Sequence, residues 1–251
     1  ANIGGINPAY VSNITRLDIW FEGKVVDIVA GQYHVLALTS GGFVHGWGLN
    51  SDGQLGDGTT TNRNTPVLTQ FDGEIVTQIT CSPTRSAAIT NEGKVYLWGK
   101  NIASETPVLF PQLVEYLMYM TVKQVVLGDE FLLALDEYGI VYELSATGFF
   151  NYSAPGEPFE FVTITQIAAG DKHALALTDD GKVYSWGENE KGQLGYYYAA
   201  LRSLGSNSPA LVSFGSDPWF RATTIAAGIQ FSAVYSHNSS AIYTFGDNEF
   251  G

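Results

Sequence analysis

Residues 28–39 read Ile-Val-Ala-Gly-Gln-Tyr-His-Val-Leu-Ala-Leu-Thr, and residues 167–178 read Ile-Ala-Ala-Gly-Asp-Lys-His-Ala-Leu-Ala-Leu-Thr. Each segment runs on through a glycine and a short apolar stretch to Trp-Gly, from Gly42 to Trp47-Gly48 and from Gly181 to Trp186-Gly187. A loop of the form Asn-x-x-Gly-Gln-Leu-Gly follows at residues 50–56 and again at 189–195. A chain that repeats itself at this length folds by stacking like units, because one short unit cannot bury its apolar face alone. Three degenerate copies complete the series. Gly31, Ser82, Gly128, Gly170 and Gly228 mark the same place in each copy, at separations of 51, 46, 42 and 58 residues.

Each copy reads as four short strands, since runs rich in Val, Ile, Tyr and Phe are bounded by Gly, Asp and Asn. In the first copy these are residues 25–30, 34–39 and 43–48, then an element containing Pro66-Val-Leu68. Its counterparts are Pro107-Val-Leu109 and Pro209-Ala-Leu-Val212. A proline opening a strand places it at a sheet edge, because the missing N–H would break a central ladder. Four antiparallel strands with one marked edge make a propeller blade. The expected fold is all-β, a propeller of about five repeats of roughly fifty residues, with cores near 25–68, 75–109, 122–160, 162–213 and 222–251. Small residues (Ala30, Ala168, Ala169, Ala227) suit a crowded first strand, and Trp47, Trp98 and Trp186 suit the wider gaps between sheets. Replacing Trp186 by Ala is expected to cost about 3–5 kcal/mol.

The combination of Ala-Gly-x-x-His-x-Leu-Ala-Leu-Thr, Gly-x-Val-Tyr-x-Trp-Gly and Gly-Gln-Leu-Gly resembles the regulator of chromosome condensation repeat. The likeness is strong over residues 25–68 and 162–213 and degenerate over 75–150 and 219–251. Repeats of the Trp-Asp type do not fit, because no Trp-Asp dipeptide recurs. That family usually closes with seven blades, whereas five cores are present here. Asn7-Pro-Ala-Tyr-Val-Ser12 matches Ser208-Pro-Ala-Leu-Val-Ser213, so residues 7–12 are expected to complete the last blade or to pair with another chain. Three arrangements follow: a closed five-bladed ring, a head-to-tail assembly through a non-closing interface, or part of a longer propeller.

The resemblance implies several roles, since the family includes an exchange factor for a small nuclear GTPase, a plant ultraviolet-B photoreceptor, ubiquitin-ligase-associated propellers and a secreted β-lactamase inhibitor. The photoreceptor's Gly-Trp-Arg-His-Thr motif is absent. The exchange-factor role goes with basic docking segments that this chain lacks. The expected function is therefore a non-enzymatic protein-interaction propeller. The alternatives are a structural, self-assembling protein, with an extracellular filament as one form, and an exchange factor for a Ran-type GTPase.

Composition and chemistry agree with that ranking. A formal charge of -13 with only 12 basic residues disfavours nucleic-acid and membrane-surface binding, which rest on Lys and Arg. The longest apolar candidate for a membrane span, residues 109–127, is broken by Pro111, Glu115 and Lys123. No cofactor or metal site is expected, because no Cys/His spacing suits a metal and Gly53-Gln-Leu-Gly56 is a hairpin loop. No catalytic set assembles either. His34 and His173 share one repeat position that elsewhere holds Arg85, Phe131 and Phe231. A fold role follows, with the ring bonded to a turn. Cys81, the single cysteine, is expected to be a buried small hydrophobe. Candidate contacts for a basic protein partner of unknown identity are Asp129, Glu130 and Asp171, with Tyr196, Tyr197 and Tyr198 in the longest insertion. Phe149-Phe150-Asn-Tyr152 forms a similar aromatic cluster. Sequons at Asn13, Asn151 and Asn238 are candidate glycosylation sites. Together with the low charge and a start at Ala1 they point toward a secreted chain, either processed or excised.

Overall fold

A computed structural model describes residues 21–104, 106–154, 156–196, 206–215 and 219–249. The chain divides between Leu127 and Gly128 into two compact units, and each repeat contributes its own antiparallel sheet. The first unit holds β1 (Val25–Ala30), β2 (His34–Thr39), β3 (Val44–Gly48) and β4 (Arg63–Leu68), hydrogen-bonded in chain order. A second sheet follows with β5 (Val76–Cys81), β6 (Arg85–Thr90), β7 (Val95–Lys100) and β8 (Pro107–Leu113), again in chain order. A short 3-10 turn (Glu115–Leu117) leads to β9 (Val122–Leu127), the opening strand of the third repeat.

The second unit begins with β10 (Phe131–Asp136), β11 (Val141–Ser145) and β12 (Gly148–Asn151), paired as successive hairpins. The fourth blade is β13 (Ile164–Ala169), β14 (His173–Thr178), β15 (Val183–Gly187) and β16 (Ser206–Leu211). The fifth, among the described residues, is β17 (Ala222–Ala227), β18 (Phe231–Ser236) and β19 (Ala241–Gly246). Residues 7–12, expected to complete it, lie outside the described residues. The all-β class and blade architecture expected from the repeat are thus what the structure has.

Two details differ from the expectation. Pro107 opens β8, but Pro66 and Pro209 sit inside β4 and β16. Both lie where the register with the third strand shifts, between the partners of Gly46 and Gly48 and between those of Ser185 and Gly187. A bulge leaves one residue without a ladder partner, so the missing N–H costs nothing there. Cys81 is half-buried rather than buried. Burial still pushes its thiol up to about 12, so it stays protonated and unreactive at neutral pH.

Packing between blades follows one rule in both units. Leu36, Leu38 and Val44 of the first blade meet Val76, Ile79, Ala88 and Trp98 of the second. Leu175, Leu177 and Val183 of the fourth meet Ala222, Ile225 and Val234 of the fifth. A glutamine in the first strand adds a polar rung. The Gln78 side-chain oxygen accepts from the Val125 N–H at 3.0 Å, and Gln166 both donates to the Ile225 carbonyl and accepts from its N–H, each at 3.1 Å. Half-buried in the seam, each amide ties its first strand to the next one, and Gln166 does so with both its donor and its acceptor.

Candidate partner-binding cleft

Two well-formed seams show how the repeat normally closes. In the first unit, Asn50 organises the loop after β3. Its side-chain oxygen accepts from the Leu55 N–H at 2.9 Å, and its amide donates to Asp57 at 3.0 Å. This lays Leu55 and Gln54 into the gap between blades, where both are fully buried. The Gln54 carbonyl then accepts from Trp98 Nε1 at 2.9 Å and from the Ser86 hydroxyl at 2.8 Å. The same hydroxyl lies 3.1 Å from His34 Nε2. Gly56 has to be glycine here, because it adopts φ +66° and a Cβ would lie 2.9 Å from the Trp98 indole nitrogen.

The fourth and fifth blades repeat the arrangement. Asn189 accepts from Leu194 N–H at 3.0 Å, the Gln193 carbonyl accepts from the Ser232 hydroxyl at 2.8 Å, and that hydroxyl is 2.9 Å from His173 Nε2. The histidines therefore bond a serine of the next blade, not a turn as expected from the sequence. Burial lowers both imidazoles to about 4, so they are neutral at physiological pH.

The seam between the third and fourth blades lacks this plug. Only Ala146 and Thr147 separate β11 from β12, so no Gly-Gln-Leu-Gly loop folds over the gap. The residue that underlies the plug also changes. It is Gly46 in the first blade and Ser185 in the fourth, where the Ser185 hydroxyl donates to the Leu194 carbonyl at 2.7 Å; in the third it is Glu143. That carboxylate takes over the acceptor role. One of its oxygens receives Trp186 Nε1 at 3.1 Å and the Tyr152 hydroxyl at 2.8 Å.

The exchange leaves space. A cleft of about 500 Å³ opens at this seam, walled by Phe131, Phe150, Tyr152 and Trp186, with Glu143 and Glu157 among its polar groups. Tyr152 and Trp186 sit edge to face at 5.4 Å, and Phe159 backs Trp186 at 6.1 Å. Burial first, and the Glu143 charge second, push the Tyr152 phenol above its ordinary range. It therefore stays a donor to Glu143. Sequence reasoning missed Glu143 and Trp186 as a pair. The signal was available in the missing Gly-Gln-Leu-Gly of the third repeat and the charged residue at a Gly/Ser position.

Of the residues singled out from sequence, the structure brings Asp129, Glu130 and Asp171 together at turns of the second unit. The Asp129 N–H donates to the Asp171 carbonyl at 2.7 Å. Burial, followed by the Asp129 charge, raises the Asp171 carboxyl. Lys172 of the cleft wall stands 4.0 Å from Glu130, which joins the acidic turns to the cleft. Tyr196 is half-buried and is not part of the cleft wall; Tyr197 and Tyr198 lie outside the described residues. Phe149 stacks on Tyr142 at 5.7 Å, while Phe150 is exposed at the cleft. Among the sequons, Asn238 is exposed in a turn. Asn151 accepts from the Ser153 N–H at 2.9 Å, and Asn13 is outside the described residues. Among the described residues no group of three or more His, Cys, Asp or Glu suits a metal ion, and no helix is long and apolar enough to cross a membrane.

Comparisons with known proteins agree with the blade architecture. The family described as regulator of chromosome condensation (RCC1) repeat matches residues 25–54 and 164–193 through one profile and 41–89 and 180–235 through another. Together these cover more than half the chain. The ultraviolet-B receptor UVR8 of Arabidopsis thaliana is 30% identical over 238 residues, 91% of this chain and 42% of the receptor. Ras guanine nucleotide exchange factor C of Dictyostelium discoideum is 42% identical over 82 residues, 32% of this chain and 6% of that protein. Prp20p of Saccharomyces cerevisiae, solved in a study of its binding to Gsp1p and histones, superposes with a TM-score of 0.74 at 24% identity, covering 90% of this chain and 57% of that one. The chain thus spans less than half the length of these two curated relatives.

Proposed function

Since the chain belongs to the regulator of chromosome condensation repeat family, we propose that it is a non-enzymatic protein-interaction propeller. We place its docking site at the unplugged seam between the third and fourth blades. The observation that carries this reading is the replacement of the plug loop by an open cleft walled with aromatic side chains. Aromatic residues in a recessed pocket are the usual anchors of protein–protein recognition. The acidic turns at Asp129, Glu130 and Asp171 lie beside it and favour a basic partner by charge complementarity. Binding of Gsp1p and histones by Prp20p agrees with a protein ligand for this fold, though a shared fold alone does not assign one. Selection from a random peptide library tests the proposal. The expected result is a family of peptides that bind the second unit's cleft; failure to enrich any peptide, or enrichment only of peptides that bind elsewhere, refutes it.

A second reading, self-association, is favoured by the ends of the repeat series. Ile28 of β1 is 60% exposed, whereas Ile79, Val125, Ile167 and Ile225 at the same repeat position are 1–3% exposed. Trp47 Nε1 is buried without an acceptor, while Trp98 finds one on the preceding blade. On β19, Ile242 is 72% exposed where Val183 is fully buried. Leading and trailing blade faces of this kind suit a head-to-tail contact between copies, with residues 7–12 completing the fifth blade across it. Light scattering over a dilution series is expected to show a concentration-dependent species that Ile28→Glu removes. A strict monomer at every concentration would eliminate this reading.

A further inference from the structure

The cleft at the third seam also carries a statement about ligand chemistry. In the plugged seam between the first and second blades the Trp98 N–H is met by a neutral backbone carbonyl, that of Gln54. At the third seam the equivalent N–H is met by a full carboxylate, Glu143, although a neutral amide of the same shape would serve equally as acceptor. Both donors, Trp186 Nε1 and the Tyr152 hydroxyl, reach a single oxygen of Glu143. None of the ion pairs among the described residues includes Glu143. The carboxylate is half-buried, and the nearest walls are aromatic faces.

A half-buried carboxylate with no counter-ion among the described residues favours an incoming cation. Aromatic faces add to that preference through their negative quadrupole, most of all for a planar guanidinium that can stack. Glu157 adds a second negative group on the cleft wall, and the one lysine there, Lys172, points its charge toward Glu130 at 4.0 Å. From this juxtaposition we infer that the cleft is a cation-selective pocket that receives an arginine or lysine side chain of an extended partner segment. Tyr152, Trp186 and Phe150 contact its aliphatic stem, and Glu143 accepts from its charged end. This inference rests on the docking reading above and names the chemistry of the same site.

The test uses four capped pentapeptides, acetyl-Gly-Gly-X-Gly-Gly-amide with Arg, Lys, Gln or Glu at X, titrated into the whole chain and followed by tryptophan fluorescence and calorimetry. The Arg and Lys peptides are expected to bind about ten-fold more tightly than the Gln peptide, as a charge-assisted hydrogen bond and a cation–aromatic contact together would give. The Glu peptide is expected not to bind. Glu143→Gln keeps an acceptor for Tyr152 and Trp186, so the thermal midpoint should stay while the preference for Arg and Lys over Gln disappears. Glu157→Gln, at an exposed residue, should reduce the preference to a smaller extent. Equal binding of all four peptides, unaffected by Glu143→Gln, overturns the cation assignment but leaves protein docking standing. No binding by any of them overturns the cation assignment, and a failed library selection would then be needed to remove the docking reading as well.

Discussion

Trp98→Ala is expected to lower stability by about 4–5 kcal/mol, and Trp186→Ala by less, about 3 kcal/mol, although both fill the same repeat position. The difference follows from what surrounds each ring. Trp98 is wholly buried, packed edge to face on Phe71 at 5.6 Å, and roofed by the Gln54–Leu55 plug. Its removal leaves a closed cavity that the seam cannot collapse, and the cost of such a substitution grows with the residual void. Trp186 has Tyr152 and Phe159 on its flanks but faces the cleft, so water fills part of the space it vacates. Denaturant midpoints of the two variants check the order. A larger loss for Trp186 would mean that the third seam is as tightly closed as the first.

Acidification is expected to weaken the fold between pH 6.5 and 4 through the two seam histidines. An imidazole in the unfolded chain protonates near pH 6.5, while burial holds His34 and His173 to about 4. Above pH 6.5 both are neutral in either state, and their contribution to stability is complete. As the pH falls, the unfolded chain takes up protons that the folded chain refuses, so stability drops, by about 3 kcal/mol per histidine at pH 4. The third seam supplies the control, with Phe131 in place of the histidine of the first and fourth blades and Ala174 in place of its serine partner. The variant His34→Phe, Ser86→Ala, His173→Phe, Ser232→Ala copies that apolar pair into both seams. Its stability should be nearly flat between pH 6.5 and 5, where carboxylates contribute little. An unchanged pH slope would show that the histidines do not carry the acid response.

The repeat made the blades readable. Strand bounds at 25–30 and 34–39 follow from alternation and glycine spacing, and the tryptophans were assigned to the gaps on size alone. What lies between blades was harder to see, because it joins residues 32 to 59 positions apart. The histidines illustrate this. Their shared position pointed to a structural role, but the partner serine sits one repeat later, at a place that holds valine, leucine or alanine in other copies. The cleft was hidden for a different reason. The third repeat looked merely degenerate until the plug loops of the first and fourth showed what its short turn omits. Glu143 then changes from an unremarkable strand residue into the acceptor that compensates for the missing carbonyl. The sequence singled out Asp129, Glu130 and Asp171 by their place in turns, and the fold sets them beside the cleft; Tyr196 is half-buried and is not part of the cleft wall.

The claim that the open third seam is where a partner docks is tested most directly by covalent mapping. A peptide from the library selection, carrying a benzophenone at its central residue, is photo-crosslinked to the intact chain and the attachment sites are read by mass spectrometry. Adducts are expected to concentrate at Phe150, Tyr152, Glu157 and Trp186 and to be competed away by excess unlabelled peptide. Adducts confined to the exposed faces of β1 and β19, with none on those four residues, would contradict it.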